Sequence, residues 1–203
     1  MGDEDAYRAP AGTARAEVRD RGSRFLAIAG KVSGLNEVET ALAALRREFP
    51  DATHHCYAWR LGWPPAERAA DAGEPGGTAG MPILQVLRGA GLSDVLLVVV
   101  RWFGGTKLGK GGLARAYAAA AREALAGLPT AARVAREEIE VVVPLERVGA
   151  VKRLLRPPAI ELLAEQYGER ARLRLGVERP QLALLRERLA ELGLAPAEPD
   201  GPK

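Results

Sequence analysis

Residues 94–117 read DVLLVVVRWFGGTKLGKGGLARAY, an unbroken apolar run that passes into a glycine-rich segment and then an alanine-rich pattern. From Val95 to Val100 neither parity carries a polar residue, so a strand here must be covered on both faces and lie centrally in its sheet. The run is too short and too β-branched for a helix, and Gly104 and Gly105 close it. Beyond the glycines, Leu113, Ala116, Ala120 and Ala124 fall on one face at helical spacing, and the small alanines let that face pack closely. The local reading is strand, glycine loop and helix.

The loop itself supports several readings. Gly104, Gly109 and Lys110 satisfy the G-x-x-x-x-G-K part of a phosphate-binding loop. Position 111 is Gly, however, and the hydroxyl that would hold Mg²⁺ is missing, which argues against a nucleotide triphosphatase. One alternative is that the glycines, Gly104, Gly105, Gly109, Gly111 and Gly112, only serve a tight connection. The other is an anion site, in which free N–H groups at the helix start join Arg101, Lys107, Lys110 and Arg115 to hold a nucleic-acid phosphate. A net charge of +3 over 203 residues is only mildly basic, so such a role must rest on this local clustering.

The flanking chain adds further elements. Residues 13–18 read as an edge strand, and 21–32 as a strand with Phe25, Ala27 and Ala29 on one parity and Leu26 and Ile28 on the other. Asn36 with Glu39 predicts an N-cap and capping box. Val38, Leu42, Leu45 and Phe49 form that helix's apolar stripe, and Pro50 stops it. In residues 51–61 a strand places His55, Tyr57 and Trp59 on one face, expected to look into a groove, and Cys56 and Ala58 on the other. Residues 62–80 form one long Gly/Pro-rich connection, after which Pro82 suits the start of a short helix capped by Thr78 or a free amide. Asp71 and Glu74 are candidates for a metal or acid/base pair, with solvated loop carboxylates as the plainer alternative. A single cysteine excludes an internal disulfide, and two histidines with one cysteine are too few for a zinc site. No metal and no cofactor is expected. No stretch is apolar for long enough to span a membrane and the N-terminus is acidic, so the expected location is cytoplasmic.

Four blocks, RGSRFLA, ATHHCYAW, DAGEPGGTAGMPIL and VVVRWFGGTKLGKGGLARAY, resemble in order and spacing the signature blocks of the IMPACT/YigZ family. The resemblance covers nearly the whole chain. It implies an N-terminal α/β domain like the second domain of a small-subunit ribosomal protein and domain IV of elongation factor G. For bacterial members it implies a C-terminal ferredoxin-like domain as well. Asp71, Gly73, Glu74, Pro75, Gly77, Thr78, Ala79, Gly80 and Pro82 fit the acidic-glycine block. The basic block is matched by Arg101, Phe103, Gly104, Gly105, Lys107, Leu108, Gly109, Gly111, Gly112, Leu113, Arg115, Ala116 and Tyr117. Ala72 stands where an aspartate is usual and Gly76 where a serine is usual, which weakens metal or hydroxyl chemistry there. Lys110 occupies a variable place, so its likeness to a phosphate-binding loop is accidental.

Past Pro129 the pattern predicts a strand in 139–144, a short helix in 147–155, a hairpin in 159–177, a helix from Pro180 with Leu182, Leu185 and Leu189 as its stripe, and an edge strand near 194–197. That order is βαββαβ, the ferredoxin-like plan. Two domains are therefore expected, 1–132 and 136–203, joined by a short exposed linker.

Two function classes follow. The first, which the resemblance favours because eukaryotic relatives look like regulators of translation, is a non-enzymatic translation-linked protein binding RNA or a ribosome-associated partner. Its candidate binding residues are Arg24, His55, Glu74, Thr78, Arg101, Lys107, Lys110 and Arg115, with Gly77, Gly80 and the loop glycines as structural positions. The second is an uncharacterised hydrolase or phosphotransferase using Glu74, His54 or His55 and the Lys107 loop. No catalytic residue is assigned, and the oligomeric state is not readable from the sequence.

Overall fold

The computed structural model describes residues 5–197. The chain divides into two compact units, 7–133 and 134 onward, with Asp5 and Ala6 grouping with the second.

In the first unit the elements run β1 (Ala6–Pro10), β2 (Thr13–Asp20), β3 (Ser23–Lys31), α1 (Leu35–Glu48), β4 (His54–Leu61), β5 (Ala66–Ala70), α2 (Gly80–Gly89), β6 (Val95–Trp102), α3 (Gly109–Ala126) and β7 (Thr130–Val134). A five-stranded sheet has the order β2-β3-β6-β4-β5, and every neighbouring pair is antiparallel. β1 pairs with β7 in a separate two-stranded sheet.

The apolar run takes the place its sequence demands. β6 is the central strand, and Val95 through Arg101 are all buried. Its two faces meet different cores. Val95, Leu97 and Val99 pack with Phe25, Ala27, Ala29, Cys56 and Ala58 against α2 and α3, while Leu96, Val98 and Val100 pack with Trp59 against Val38, Leu42 and Leu45 of α1. On α3 the predicted stripe, Leu113, Ala116, Ala120 and Ala124, is buried, as is Tyr117. Alanines on both α3 and β3 bring helix and sheet close, so backbone proximity replaces side-chain bulk.

Three local expectations are corrected. The segment 62–80 is not one loop, because AERAA pairs with β4 as the edge strand β5. Nothing in its composition favours a strand, and pairing supplies what propensity lacks. Asn36 is not the N-cap of α1, which Gly34 provides; Glu37, not Glu39, accepts the Ser33 N–H at 2.9 Å. The row His55, Tyr57 and Trp59 does share one face of β4, but that face lies on the α1 side, with Trp59 in its core, and opens no groove.

The second unit runs β8 (Arg136–Val143), a 3-10 turn (Leu145–Arg147), α4 (Val148–Lys152), β9 (Ile160–Tyr167), β10 (Ala171–Glu178), α5 (Arg179–Glu191) and β11 (Pro196–Ala197). Its sheet order is β11-β8-β10-β9, antiparallel throughout. Leu173, Leu175, Leu185 and Leu189 form its core. At the end of β7, Arg133 and Val134 are exposed, while Ala135, between β7 and β8, is buried and donates its N–H to Asp5 O at 2.7 Å.

Candidate functional site

Where β6 runs out, a chain of polar side chains crosses the interior of the first unit. Arg101, the last buried residue of β6, extends Nη1 to Glu74 Oε1 at 2.5 Å and Nη2 to Ser23 Oγ at 3.3 Å. The same Glu74 oxygen accepts the Tyr117 hydroxyl at 2.7 Å and lies 3.9 Å from His54 Nε2. Glu74 and Arg101 are 8% and 5% exposed, so this ion pair is out of water and each charge depends on the other. The Cys56 Sγ lies 2.9 Å from Asp71 O and 3.3 Å from the Tyr117 hydroxyl. Burial pushes the Cys56 thiol up to about 12, which leaves it a poor nucleophile. Burial first, then its contacts with Cys56 and Glu74, raise Tyr117 as well, so its hydroxyl keeps its proton as a donor.

Asp71 does other work. Its Oδ1 accepts the N–H groups of Ala79 and Gly80 at 2.9 and 2.8 Å, and its Oδ2 accepts that of Gly77 at 2.8 Å. Burial alone would push this carboxyl up, but the three N–H donors together hold it below its ordinary value. Asp71 thus closes the amino end of α2 from outside the helix, in place of the cap assigned to Thr78, whose hydroxyl donates to Pro75 O at 2.6 Å. A metal pair of Asp71 with Glu74 is replaced by these two separate fixed roles.

Above this interior the glycine loop leaves β6. Phe103 N–H donates to Thr53 Oγ1 at 3.1 Å, and Gly104 N–H to Ser23 Oγ at 3.2 Å. Gly104 abuts the β2–β3 turn so tightly that a Cβ there would lie 1.9 Å from the Gly22 carbonyl carbon. Gly109, the first residue of α3, has φ of +69°, a region that glycine enters freely. No side chain caps α3 and no acid lies in its first turn.

The sequence-derived residues therefore separate. Glu74, Thr78 and Arg101 are interior. Lys107, Lys110 and Arg115 are exposed, and among the described residues none of the three makes an ion pair. The Arg115 guanidinium folds back along α3, Nη1 lying 3.4 Å from where a Cβ of Gly111 would be, so its charge sits at the helix start. Gly105, Gly111 and Gly112 belong to this loop and first turn, and Gly77 and Gly80 to the Asp71-bound loop.

Two expected site residues lie elsewhere. Arg24 has the opposite parity to Phe25 on β3, where its Nε donates to Glu17 at 2.6 Å and its guanidinium lies 4.3 Å from the centre of the Trp102 ring. His55 pairs across the sheet with Val100, on the α1 face, where burial first and then nearby Arg46 lower its affinity for a proton. Its neighbour His54 is the one that reaches Glu74, its Nδ1 3.0 Å from Ala72 O; a carbonyl only accepts, so Nδ1 carries the proton. The sequence reading missed His54, Cys56, Tyr117 and Ser23 as members of one network. Strand parity already put His54 with Cys56, and Tyr117 is the lone aromatic on a face of alanines.

Comparison with known proteins gives this geometry a family. Residues 21–125, which contain every residue of the interior network and the loop, match the Impact N-terminal domain. The chain is 46% identical over 139 residues to the IMPACT family member in the pol 5′ region of Thermus thermophilus, covering 68% of this chain and 75% of that one. It is 32% identical over 172 residues to the IMPACT family member YigZ of Escherichia coli K12, covering 83% and 84%. The crystal structure of a hypothetical protein superposes with a TM-score of 0.78 at 28% identity, over 98% of this chain and 99% of the other. On the domain match and on these relatives, aligned over most of their own length, the chain belongs to the IMPACT family.

Proposed function

We propose that this chain is a translation-linked regulatory protein without catalytic activity, which binds RNA, or a ribosome-associated partner through its RNA, at the exposed loop between β6 and α3. The observation that carries this reading is the set of three unpaired cations, Lys107, Lys110 and Arg115, around a helix start that has neither cap nor acid. Backbone N–H groups and cations in this arrangement suit phosphate and require no bond-making. The second unit's βαββαβ order, with strands β11-β8-β10-β9, supports the ferredoxin-like domain expected of bacterial members. Fold likeness supports the link to translation as analogy only.

The interior network speaks against the enzymatic alternative. Glu74 is held by Arg101 and Tyr117, the Cys56 thiol is pushed up to about 12, and His55 lies on the other face of the sheet. Of the residues that alternative names, His54 stays near Glu74, its Nε2 3.9 Å from the carboxylate. Fluorescence anisotropy with a labelled single-stranded RNA, repeated across salt concentrations, tests the reading. The expected result is weak binding with little sequence preference that declines as salt rises, because phosphate contacts release counterions. Binding that ignores salt, or turnover of a nucleotide or ester that vanishes in Glu74→Gln, would overturn it.

A further inference from the structure

A column of stacked groups runs from the core of the first unit to its surface. Tyr117 meets Phe25 edge to face, with ring centres 5.1 Å apart. The Arg101 guanidinium carbon lies 5.3 Å from the ring centre of Phe25 and 5.6 Å from that of Phe103. Burial falls off sharply at the top: Tyr117 and Phe25 are fully buried, Arg101 is 5% exposed, and Phe103 is 48% exposed. An exposed aromatic on a glycine loop would ordinarily be mobile, yet here the parts beneath it are fixed. Thr53 and Ser23 hold the backbone of Phe103 and Gly104, and Glu74 and Ser23 hold the arginine. The Arg101 Nε is buried without a partner, so the guanidinium is retained for its position as well as for its hydrogen bonds.

Phe103 thus has a cation over its ring while 48% of the residue stays exposed. The cation draws electron density toward itself, which favours stacking of a second π-system on the exposed part of the ring. Lys107 is four residues further along the loop, within about 14 Å of chain reach, and Lys110 and Arg115 follow at the start of α3. An exposed aromatic and exposed cations on one loop and helix start are the two components of single-stranded nucleic-acid binding, a stacking platform and a phosphate track. We infer that Phe103 is a base-stacking platform, so that the site takes single-stranded RNA, with one base on Phe103 and the adjoining phosphates on Lys107, Lys110 and Arg115. The inference rests on the proposed RNA-binding function and adds the strandedness of the ligand and the residue that contacts its base.

The test uses the full chain with three probes of equal length: single-stranded oligo(A), the same strand annealed to oligo(U), and an abasic oligonucleotide. Single-stranded oligo(A) binds best. Phe103→Ala and Phe103→Leu weaken its binding roughly 5- to 100-fold, the range for losing one stacked base, with no change in salt dependence or in melting temperature. Phe103→Trp retains affinity, and its emission, above that of the parent's own tryptophans, is quenched as oligo(A) is added. The abasic probe binds parent and Phe103→Ala alike. If Phe103→Ala binds oligo(A) as the parent does while affinity still falls with salt, the stacking inference is overturned and the phosphate site stands. Preference for the duplex overturns it equally. Failure of every probe to bind overturns both.

Discussion

Charged residues in this molecule occur in two settings a few residues apart. Glu74 and Arg101 lie in the interior with their hydrogen bonds to each other, Tyr117 and Ser23. Lys107, Lys110 and Arg115, just beyond the glycines, lie in water with no ion pair among the described residues. The sequence puts all five in two glycine-rich blocks and invites one role for them. Burial divides the roles: a charge removed from water must be spent on a fixed partner, whereas a solvated cation is free for a ligand. Glu74 and Arg101 are accordingly the support of the loop, and the cations and Phe103 its working surface.

The sharpest way to break this contrast is to remove one partner of the buried pair, and then both. Arg101→Ala leaves the Glu74 carboxylate buried and unpaired, at a cost of about 3–5 kcal/mol, or a fall of roughly 6–20 °C in melting temperature. The double replacement Arg101→Met with Glu74→Leu should recover much of that loss, because two apolar groups leave no stranded charge. Calorimetry on the two variants compares them directly; a double variant no better than the single one would mean that the pair does more than neutralise itself.

Next in size is Gly104→Val. Its Cβ would have to occupy a space 1.9 Å from the Gly22 carbonyl carbon, so the loop or the β2–β3 turn must move, at about 1–3 kcal/mol or more. Urea unfolding should show a lower midpoint than the parent's, and Gly105→Ala, with open space around its Cβ but φ of +86°, should cost less. Equal losses would place the constraint in backbone angle rather than in contact.

Asp71 offers a smaller and pH-dependent effect. Asp71→Ala removes the acceptor of three N–H groups at the start of α2 and should cost about 1–2 kcal/mol, as loss of a helix cap does. The folded-state value of this carboxyl is depressed, so its contribution is complete above the unfolded value near 3.8 and is lost as pH falls through the lower folded value. The stability gap between parent and Asp71→Asn should therefore be full at neutral pH and narrow below that value. A gap independent of pH would assign the effect to shape alone.

How far the sequence could be read follows the same division between local and long-range causes. The position of β6, the buried stripe of α3 and the order of elements in the second unit were legible, because each is a periodicity within one segment. β5 was not, since AERAA carries no strand signal and is a strand only because β4 lies beside it. Parity on β4 correctly separated His55 from Cys56, but the open face expected for His55 failed, since both faces are covered and one sequence does not say by what. The fate of Asp71 and Glu74 was least legible. Two carboxylates three residues apart in a loop look alike, yet one accepts backbone N–H groups and the other an arginine 27 residues away.

Exposed cations carry the smallest stability effect and the most direct test of function. Lys107→Ala with Arg115→Ala should melt within about 0.5 kcal/mol of the parent, since both side chains are exposed and neither has an ion-pair partner among the described residues. The decisive measurement is the slope of log affinity for single-stranded RNA against log salt in this double variant. The account predicts a slope shallower by roughly one to two units, about one for each lost phosphate contact, with the fold intact. A double variant that binds with the parent's affinity and the parent's slope would contradict it.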